Sequence, residues 1–420
     1  MLDIRLIREK PEEVRQALLK RMDQVDFQEL LGWDRERRSM IAEIDSFREK
    51  RNSTASRIGD MKRGEEDTTD LQAQMKDLSR RIKELEASLE ETETRIQSAL
   101  EALPNMPDSD VPAGGKECNQ VLTVWGAEPK FDFKPRDHVE LATRLGLVDY
   151  ERGVKLGGRG YWLYHGDGAR IEWALLNYFV ESHLSDGYEF VLPPHILTYQ
   201  CGYTAGQFPK FADDVFHLKS EESFLLPTAE TAIINLHRDE ILTEQELPKR
   251  YFAYTPCYRR EAGSYRTEER GTVRGHQFNK VEMFAFTRPE ESDAAFEELV
   301  GKAEKLVQGL GLHHRVSKLA AGDTSAAMAK TYDIEVWLPS MREFKEVSSA
   351  SNARDYQARR GSIRFRRGST GRPEYLHTLN ASGLATSRLL PAILEQNQRA
   401  DGTVAVPQVL QKSVGKQILG

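Results

Sequence analysis

At 420 residues the chain is too long for one ordinary domain, and 39% hydrophobic with 30% charged residues describes a folded protein with much solvated surface rather than a disordered one. No run reaches the ~18 apolar residues of a membrane span, MLDIRLIREKPEEV lacks a signal peptide's apolar core, and Cys118, Cys201 and Cys257 have neither metal nor disulfide spacing. A cytoplasmic protein with reduced thiols and no membrane partner is expected; the net charge of −7 does not exclude a nucleic-acid partner, because a basic stripe can sit on an acidic total.

From about Phe27 to Leu103 the composition shifts to Glu, Arg, Lys, Leu, Ile and Ala without proline, which predicts long helix. The second half spaces Leu71, Met75, Leu78, Ile82, Leu85, Leu89, Thr92 and Ile96 in steps of four and three, the seam of a coiled coil. The first half keeps Leu30, Ile41, Ile44, Ala55 and Ile58 on one phase, interrupted by Asp34, Arg37, Arg48 and Arg51. Between them the stretch from Lys62 to Asp70 is polar, contains Gly64, and offers Thr68 and Thr69 as caps for the second helix. Two such helices bury their seams on each other as an antiparallel hairpin, and at ~1.5 Å per residue they project roughly 50 Å. Arg35, Arg37, Arg38, Arg48, Lys50, Arg51, Arg57, Lys62 and Arg63 give the first helix a positive edge for RNA. They are equally the solvated face of a dimerisation coiled coil, and the arm alone leaves both readings open.

Pro104-Asn105-Met106-Pro107 and Pro112-Ala113-Gly114-Gly115-Lys116 break helix and mark a linker. Beyond it, Ala169 to Leu184 has helical spacing, and Phe190-Val191-Leu192 is a short strand before Pro193-Pro194. Tyr251 to Tyr258, Val281 to Thr287 and Ile334 to Leu338 read as strands, and Leu384 to Asn397 as a late helix. The expected fold class is α+β: an N-terminal antiparallel helical hairpin at about 27–103 within a domain 1–110, then a domain 111–420 on an antiparallel β-sheet.

The densest cluster of chemistry-bearing residues is Tyr258-Arg259-Arg260-Glu261, followed by Arg270, Arg274, His276-Gln277-Phe278 and Glu282. Arginine meets phosphate with forked donors, a carboxylate accepts from an exocyclic amine, and an aromatic ring stacks on a purine. In isolation the stretch is either a nucleotide site or a hairpin with a salt-bridged loop.

YRREAGSYRTEERGTVRGHQFNKVEMF resembles motif 2 of class II aminoacyl-tRNA synthetases in its seryl form. FLLPTAE (Phe224 to Glu230) is similar to that family's serine-pocket signature, FKEVSSASNARDYQARR (Phe344 to Arg360) to the block before motif 3, and LNASGLATSRLLPAILE (Leu379 to Glu395) to motif 3. GDGARIEWALLNYFVESHL leading to VLPP resembles motif 1, the dimer-forming helix and strand. The blocks span nearly the whole chain in order. The resemblance therefore implies a seryl-tRNA synthetase: serine is activated with ATP to the adenylate and transferred to tRNA(Ser), with tRNA(Sec) as a further candidate acceptor, by a homodimer whose helical arm grips the tRNA.

The resemblance also implies roles. Thr228, Ala229 and Glu230 form the serine pocket with Glu282, Asn380 and Ser382, Glu230 holding the ammonium group and Glu282 the hydroxyl. Arg259 and Arg388 are the catalytic arginines, on the α-phosphate with the serine carboxylate and on the γ-phosphate. Arg260, Glu261, Gly275, Phe278, Glu346, Val347, Ser348 and Ser349 complete the ATP site; Glu261 reads the adenine amine, Phe278 stacks, and Glu346 with Ser349 ligates Mg²⁺, a hard cation suited to oxygen donors. The sequence departs from the family pattern at Thr231 (usually valine), Gly275 (usually larger), Ala350 and Ala353 (often cysteine), Ala381 (usually glycine) and Thr267-Glu268-Glu269. Alternative readings are a divergent paralogue with an inhibitor-tolerant pocket and an amino-acid:carrier-protein ligase.

Overall fold

The computed structural model describes residues 1–219, 221–261 and 271–420. Arg270 and Thr267-Glu268-Glu269 lie outside the described residues. The chain forms two compact units, 2–104 and, with Met1, 105–420. Among the described residues no helix is long and apolar enough to cross a membrane.

The first unit holds α1 (Ile4–Glu9), α2 (Pro11–Leu18), α3 (Gln28–Arg63) and α4 (Thr69–Ala102). Helices α3 and α4 pack along each other, and every residue of the expected α4 seam is buried or half-buried. Asp67, not Thr68 or Thr69, supplies the capping oxygen, accepting from the Thr69 backbone N–H at 2.9 Å. On α3 the seam runs through Ile44, Phe47, Arg51, Thr54 and Ile58, so Phe47 and Thr54 take the inward positions expected of Arg48 and Ala55. A half-buried aromatic ring contributes more apolar area than an arginine stem, and the phase follows it. Asp34 tolerates burial because Arg8 (2.9 Å), Arg37 (3.2 Å) and Arg38 (3.2 Å) surround it. Burial works against its charge, but the hydrogen bonds from Arg8 and Arg37 outweigh that and hold the carboxyl below its usual range.

The second unit is built on an eight-stranded sheet: β1 (Gln120–Trp125), β2 (Glu189–Val191), β3 (Lys249–Tyr258), β4 (Gln277–Thr287), β5 (His314–Lys318), β6 (Lys330–Leu338), β7 (Glu343–Arg354) and β8 (His377–Ala385). The spatial order is β1-β5-β6-β7-β8-β4-β3-β2. All pairings are antiparallel except β2 with β3, which run parallel with Phe190 opposite Phe252; the sheet is mixed at that edge. Helices α5 (Asp167–Ser185), α6 (Ser292–Gly309) and α7 (Thr386–Gln396) bury one face of the sheet.

Strand alternation then sorts the chemistry. Val281, Met283, Ile334, Val336, Ala350, Leu379 and Ala381 point into the helical core. The intervening Lys280, Glu282, Asp333, Ser349, Ser351, Asn380 and Ser382 fall on the opposite face. Half of this sheet surface is polar, and that half carries the site.

Candidate active site

A cavity of about 500 Å³ opens over the polar face, lined by Thr228, Glu230, Arg259, Glu261, Lys280, Glu282, Glu346, Ser349, Asn380 and Ser382 among others. It continues into a second recess lined by Arg259, Glu261, Gly275, Phe278, Val347 and Arg388. A third, of about 460 Å³, contains Glu346, Ser349 and Arg388 beside Asp333 and Glu335. Residues from blocks more than 100 positions apart in the chain thus converge because β4, β7 and β8 are neighbours.

Register explains the contacts in the first half. Glu282 on β4 lies opposite Ser382 on β8. Its carboxylate accepts from Asn380 Nδ2 at 3.0 Å and Ser382 Oγ at 3.4 Å. Lys280 Nζ sits 2.5 Å from the same carboxylate and donates to Thr228 Oγ1 at 2.8 Å. Glu230 opens a one-turn helix, Glu230–Ile233, and is buried; Gln357 Nε2 donates to it at 2.7 Å while Thr378 Oγ1 holds the other end of that amide at 2.7 Å. Burial pushes the Glu230 carboxyl up to about 7, with Glu282 adding repulsion and Gln357, Lys280 and Arg259 pulling it back only in part.

Arg259 bridges the two halves. Its backbone N–H donates to His276 O at 2.9 Å, its Nε to Pro227 O at 3.3 Å, and its guanidinium lies 5.2 Å from the Phe278 ring centroid. Glu261, at φ +51°, pairs with Arg274 at 3.0 Å. Arg388 is held by Val273 O at 3.0 Å and Glu346 O at 2.8 Å and pairs with the Glu346 carboxylate at 3.3 Å.

Three of the residues expected to bind serine or ATP lie outside these linings. Arg260 is exposed, Ala229 is fully buried under the Glu230 turn, and Ser348 is buried with its hydroxyl donating to Ser382 O at 2.5 Å. Alternation turns Ser348 away from the face that Ser349 occupies, and Arg260 leaves the strand after Tyr258. Conversely, Lys280, Gln357 and Asp333 belong to the site and were not foreseen. The HQFNKVE block contains Lys280 at the two-residue spacing that puts it on the Glu282 face, which is the signal that could have found it.

The donor set suits a hard cation. Glu346 and Ser349 present oxygens to one recess, and Asp333 on β6, opposite Ser349, is buried there with its Oδ1 lacking a partner among the described residues. Burial, and then the neighbouring Glu346, push the Asp333 carboxyl well above its usual range. Among the described residues no three His, Cys, Asp or Glu side chains are grouped so as to hold a metal ion by themselves.

The Cys257 thiol is fully buried and pushed up by desolvation, so it stays protonated. The unusual positions have local accounts. Thr231 is buried and donates to Gln207 Oε1 at 3.1 Å. Ala350 and Ala381 face each other across β7 and β8, with Ala353 equally buried, leaving the sheet core no space for larger groups without displacement. A Cβ on Gly275 would lie 2.1 Å from the Trp162 ring.

Comparisons with known proteins agree with this arrangement. Residues 1–107 match the seryl-tRNA synthetase N-terminal domain, and residues 215–397 match the tRNA synthetase class II core domain (G, H, P, S and T). The chain is 62% identical over 425 residues to serine–tRNA ligase 2 of Clostridium acetobutylicum, covering 100% of both, and 45% identical over 426 residues to the serine–tRNA ligase of Petrotoga mobilis, again covering 100% of both. The seryl-tRNA synthetase of Pyrococcus horikoshii complexed with ATP superposes with a TM-score of 0.95 at 36% identity, covering 100% of this chain and 99% of that one.

Proposed function

The chain belongs to the seryl-tRNA synthetase family and is an ATP-dependent serine–tRNA ligase, and from that premise we propose how its own residues divide the work. The observation that carries the reading is that Arg259 borders both the Glu230–Glu282 pocket and the adjoining Phe278–Arg388 recess. Glu230 takes the serine ammonium group, Glu282 accepts from the hydroxyl, and Asn380 and Ser382 hold Glu282 in place. Glu261 accepts from the adenine amine, Phe278 stacks on the purine, and Arg388 neutralises the γ-phosphate.

In the first step a serine carboxylate oxygen forms a bond to the α-phosphorus as the bond to the bridging oxygen breaks and pyrophosphate leaves. Arg259 binds both anionic partners and so offsets their repulsion along that approach. Glu346 and Ser349, with Asp333 in the same recess, would hold Mg²⁺, whose charge would neutralise phosphate oxygens. In the second step the terminal ribose hydroxyl of the tRNA attacks the carbonyl carbon and AMP departs. Serine-dependent ATP–pyrophosphate exchange followed by charging of tRNA(Ser) tests the whole reading, and tRNA(Sec) belongs in the same assay. Exchange without charging would favour a carrier-protein ligase instead.

The elevated Glu230 sets a pH window. Below about pH 7 its carboxyl is increasingly protonated in the free enzyme and loses its attraction for an ammonium ion, so kcat/KM for serine is expected to fall by about tenfold per unit there while kcat at saturating serine changes less. Lys280, Arg259 and Glu282 face the same group, and none of them reverses the sign. A pH profile flat from 6 to 8 would refute it.

The arm takes tRNA through α3. Arg57 and Lys62, both exposed, make no ion pair among the described residues, unlike Arg48, which pairs with Glu86 at 2.7 Å. Replacing the two by alanine is expected to lower kcat/KM for charging by at least about tenfold with a weaker salt dependence, leaving exchange unchanged. Trp173 and Leu184 on α5 and Phe190 and Leu192 at β2 are large apolar side chains left exposed on the helix and strand that resemble motif 1, which supports a homodimer. Light scattering is expected to give twice 47.9 kDa; a monomer at micromolar concentration contradicts this.

A further inference from the structure

Two of the carboxylates that line the cavity, Glu230 and Glu282, are essentially buried, and the cations Arg259 and Lys280 lie beside them, Lys280 just 6% exposed. Asp214, Glu261 and Glu346 line the same cavity. With Glu230 ionised, the four charges of Glu230, Glu282, Arg259 and Lys280 sum to zero, which matches a zwitterion with a neutral side chain at that end. Removing one cation leaves a surplus negative charge in a site screened from water, and such a site matches a ligand carrying one more positive charge.

We propose that Lys280 is a specificity-determining residue: by neutralising Glu282 it makes that carboxylate an acceptor for a hydroxyl and rejects the amine analogue of serine, L-2,3-diaminopropionate. The proposal rests on the reading that Glu230 takes the α-ammonium group and Glu282 the side-chain hydroxyl.

Two features of the geometry support it beyond charge. An ionised carboxylate offers about four acceptor positions. Glu282 already receives Asn380 on Oε1 and both Lys280 and Ser382 on Oε2, so about one position remains, enough for one O–H but not for the three N–H donors of a second ammonium ion. The lysine is also fixed. Its Nζ bonds Thr228 Oγ1 at 2.8 Å, and the same oxygen accepts the Glu230 backbone N–H at 3.3 Å. Lys280 therefore ties β4 to the turn that presents Glu230, and an incoming ammonium ion at Glu282 would meet a like charge already in place. On Glu230, by contrast, the one side-chain donor among the described residues is the neutral amide of Gln357. The two carboxylates are distinguished by their partners, and the substrate's orientation follows.

The test is pyrophosphate exchange on the full-length enzyme with L-serine and with L-2,3-diaminopropionate, comparing the ratio of the two kcat/KM values in the parent enzyme, Lys280→Met, Lys280→Gln and Lys280→Arg. Both neutral variants are expected to shift the ratio towards the diamine by about 100-fold or more, a change in selectivity that a loss of packing alone does not produce. Lys280→Arg, which keeps the charge, is expected to stay within about tenfold of the parent ratio. Lys280→Gln can still donate to Glu282 and Thr228, so it decides the matter if Lys280→Met does not fold. A ratio unchanged in a neutral variant that still binds ATP overturns the role of Lys280. Absence of serine-dependent exchange in the parent enzyme is a different result, and it overturns the reading of the pocket itself.

Discussion

Arg259→Ala is expected to lower the rate of serine-dependent pyrophosphate exchange by a factor on the order of 10²–10³, the usual cost of deleting a preorganised group that meets charge in a transition state. The side chain is preorganised on several counts. Its backbone is locked to His276, its Nε to Pro227 O, and its guanidinium plane to Phe278. It therefore loses little rotamer freedom when two anions arrive, and its forked donors can serve both at once. Arg259→Lys is expected to recover little, because a single ammonium ion cannot span a phosphate and a carboxylate and leaves the Phe278 face uncovered. Affinity for ATP, measured by equilibrium binding, should fall far less than kcat. A variant that retained more than a tenth of the parent rate would remove Arg259 from the catalytic role.

Gly275→Ala is the second change with a large expected effect, although it deletes nothing. The added Cβ would sit 2.1 Å from the Trp162 ring and 2.7 Å from Gly160 O. Neither neighbour yields easily: Trp162 packs against the main core, and Gly160 O accepts the His276 N–H at 3.1 Å. The strain must move the start of β4, which carries Phe278 into the recess proposed for adenine. Overpacking of this kind costs about 1–3 kcal/mol, so KM for ATP is expected to rise roughly 5- to 100-fold while KM for serine, set further along β4 at Glu282, changes little. Trp162→Leu in the same chain should restore part of the loss, since the two positions are in contact and their effects are not additive. Equal changes in both KM values would show that the whole strand moved.

The same pair illustrates why some of the site could be read directly and some could not. Gly275 stands out in the sequence as a departure from its family, but its reason lies in Trp162, more than 100 residues earlier, and no local pattern connects them. Strand β7 is comparable. Glu343 to Arg354 has little apolar alternation because its cavity-side residues, Ser349 and Ser351 among them, are polar, so hydrophobic periodicity is silent where the chemistry is densest. Gln357 reaches Glu230 across 127 positions of sequence, and Asp333 meets Ser349 through strand register. The phase of α3 was legible to within one position, and the ring of Phe47 decided the remainder.

By itself the sequence determined the helical hairpin, because helix periodicity is a local signal, and the order of the motif blocks, whose resemblance to the family supplied the residues proposed to meet serine and nucleotide. The tertiary structure alone decided which of those residues share a surface, turning Ser348 inward and Ser349 outward, leaving Arg260 in solvent, and bringing Lys280 and Gln357 onto the two carboxylates. Side-chain direction in a strand depends on parity, and proximity depends on which strands are neighbours. Both are fixed only when the sheet is assembled.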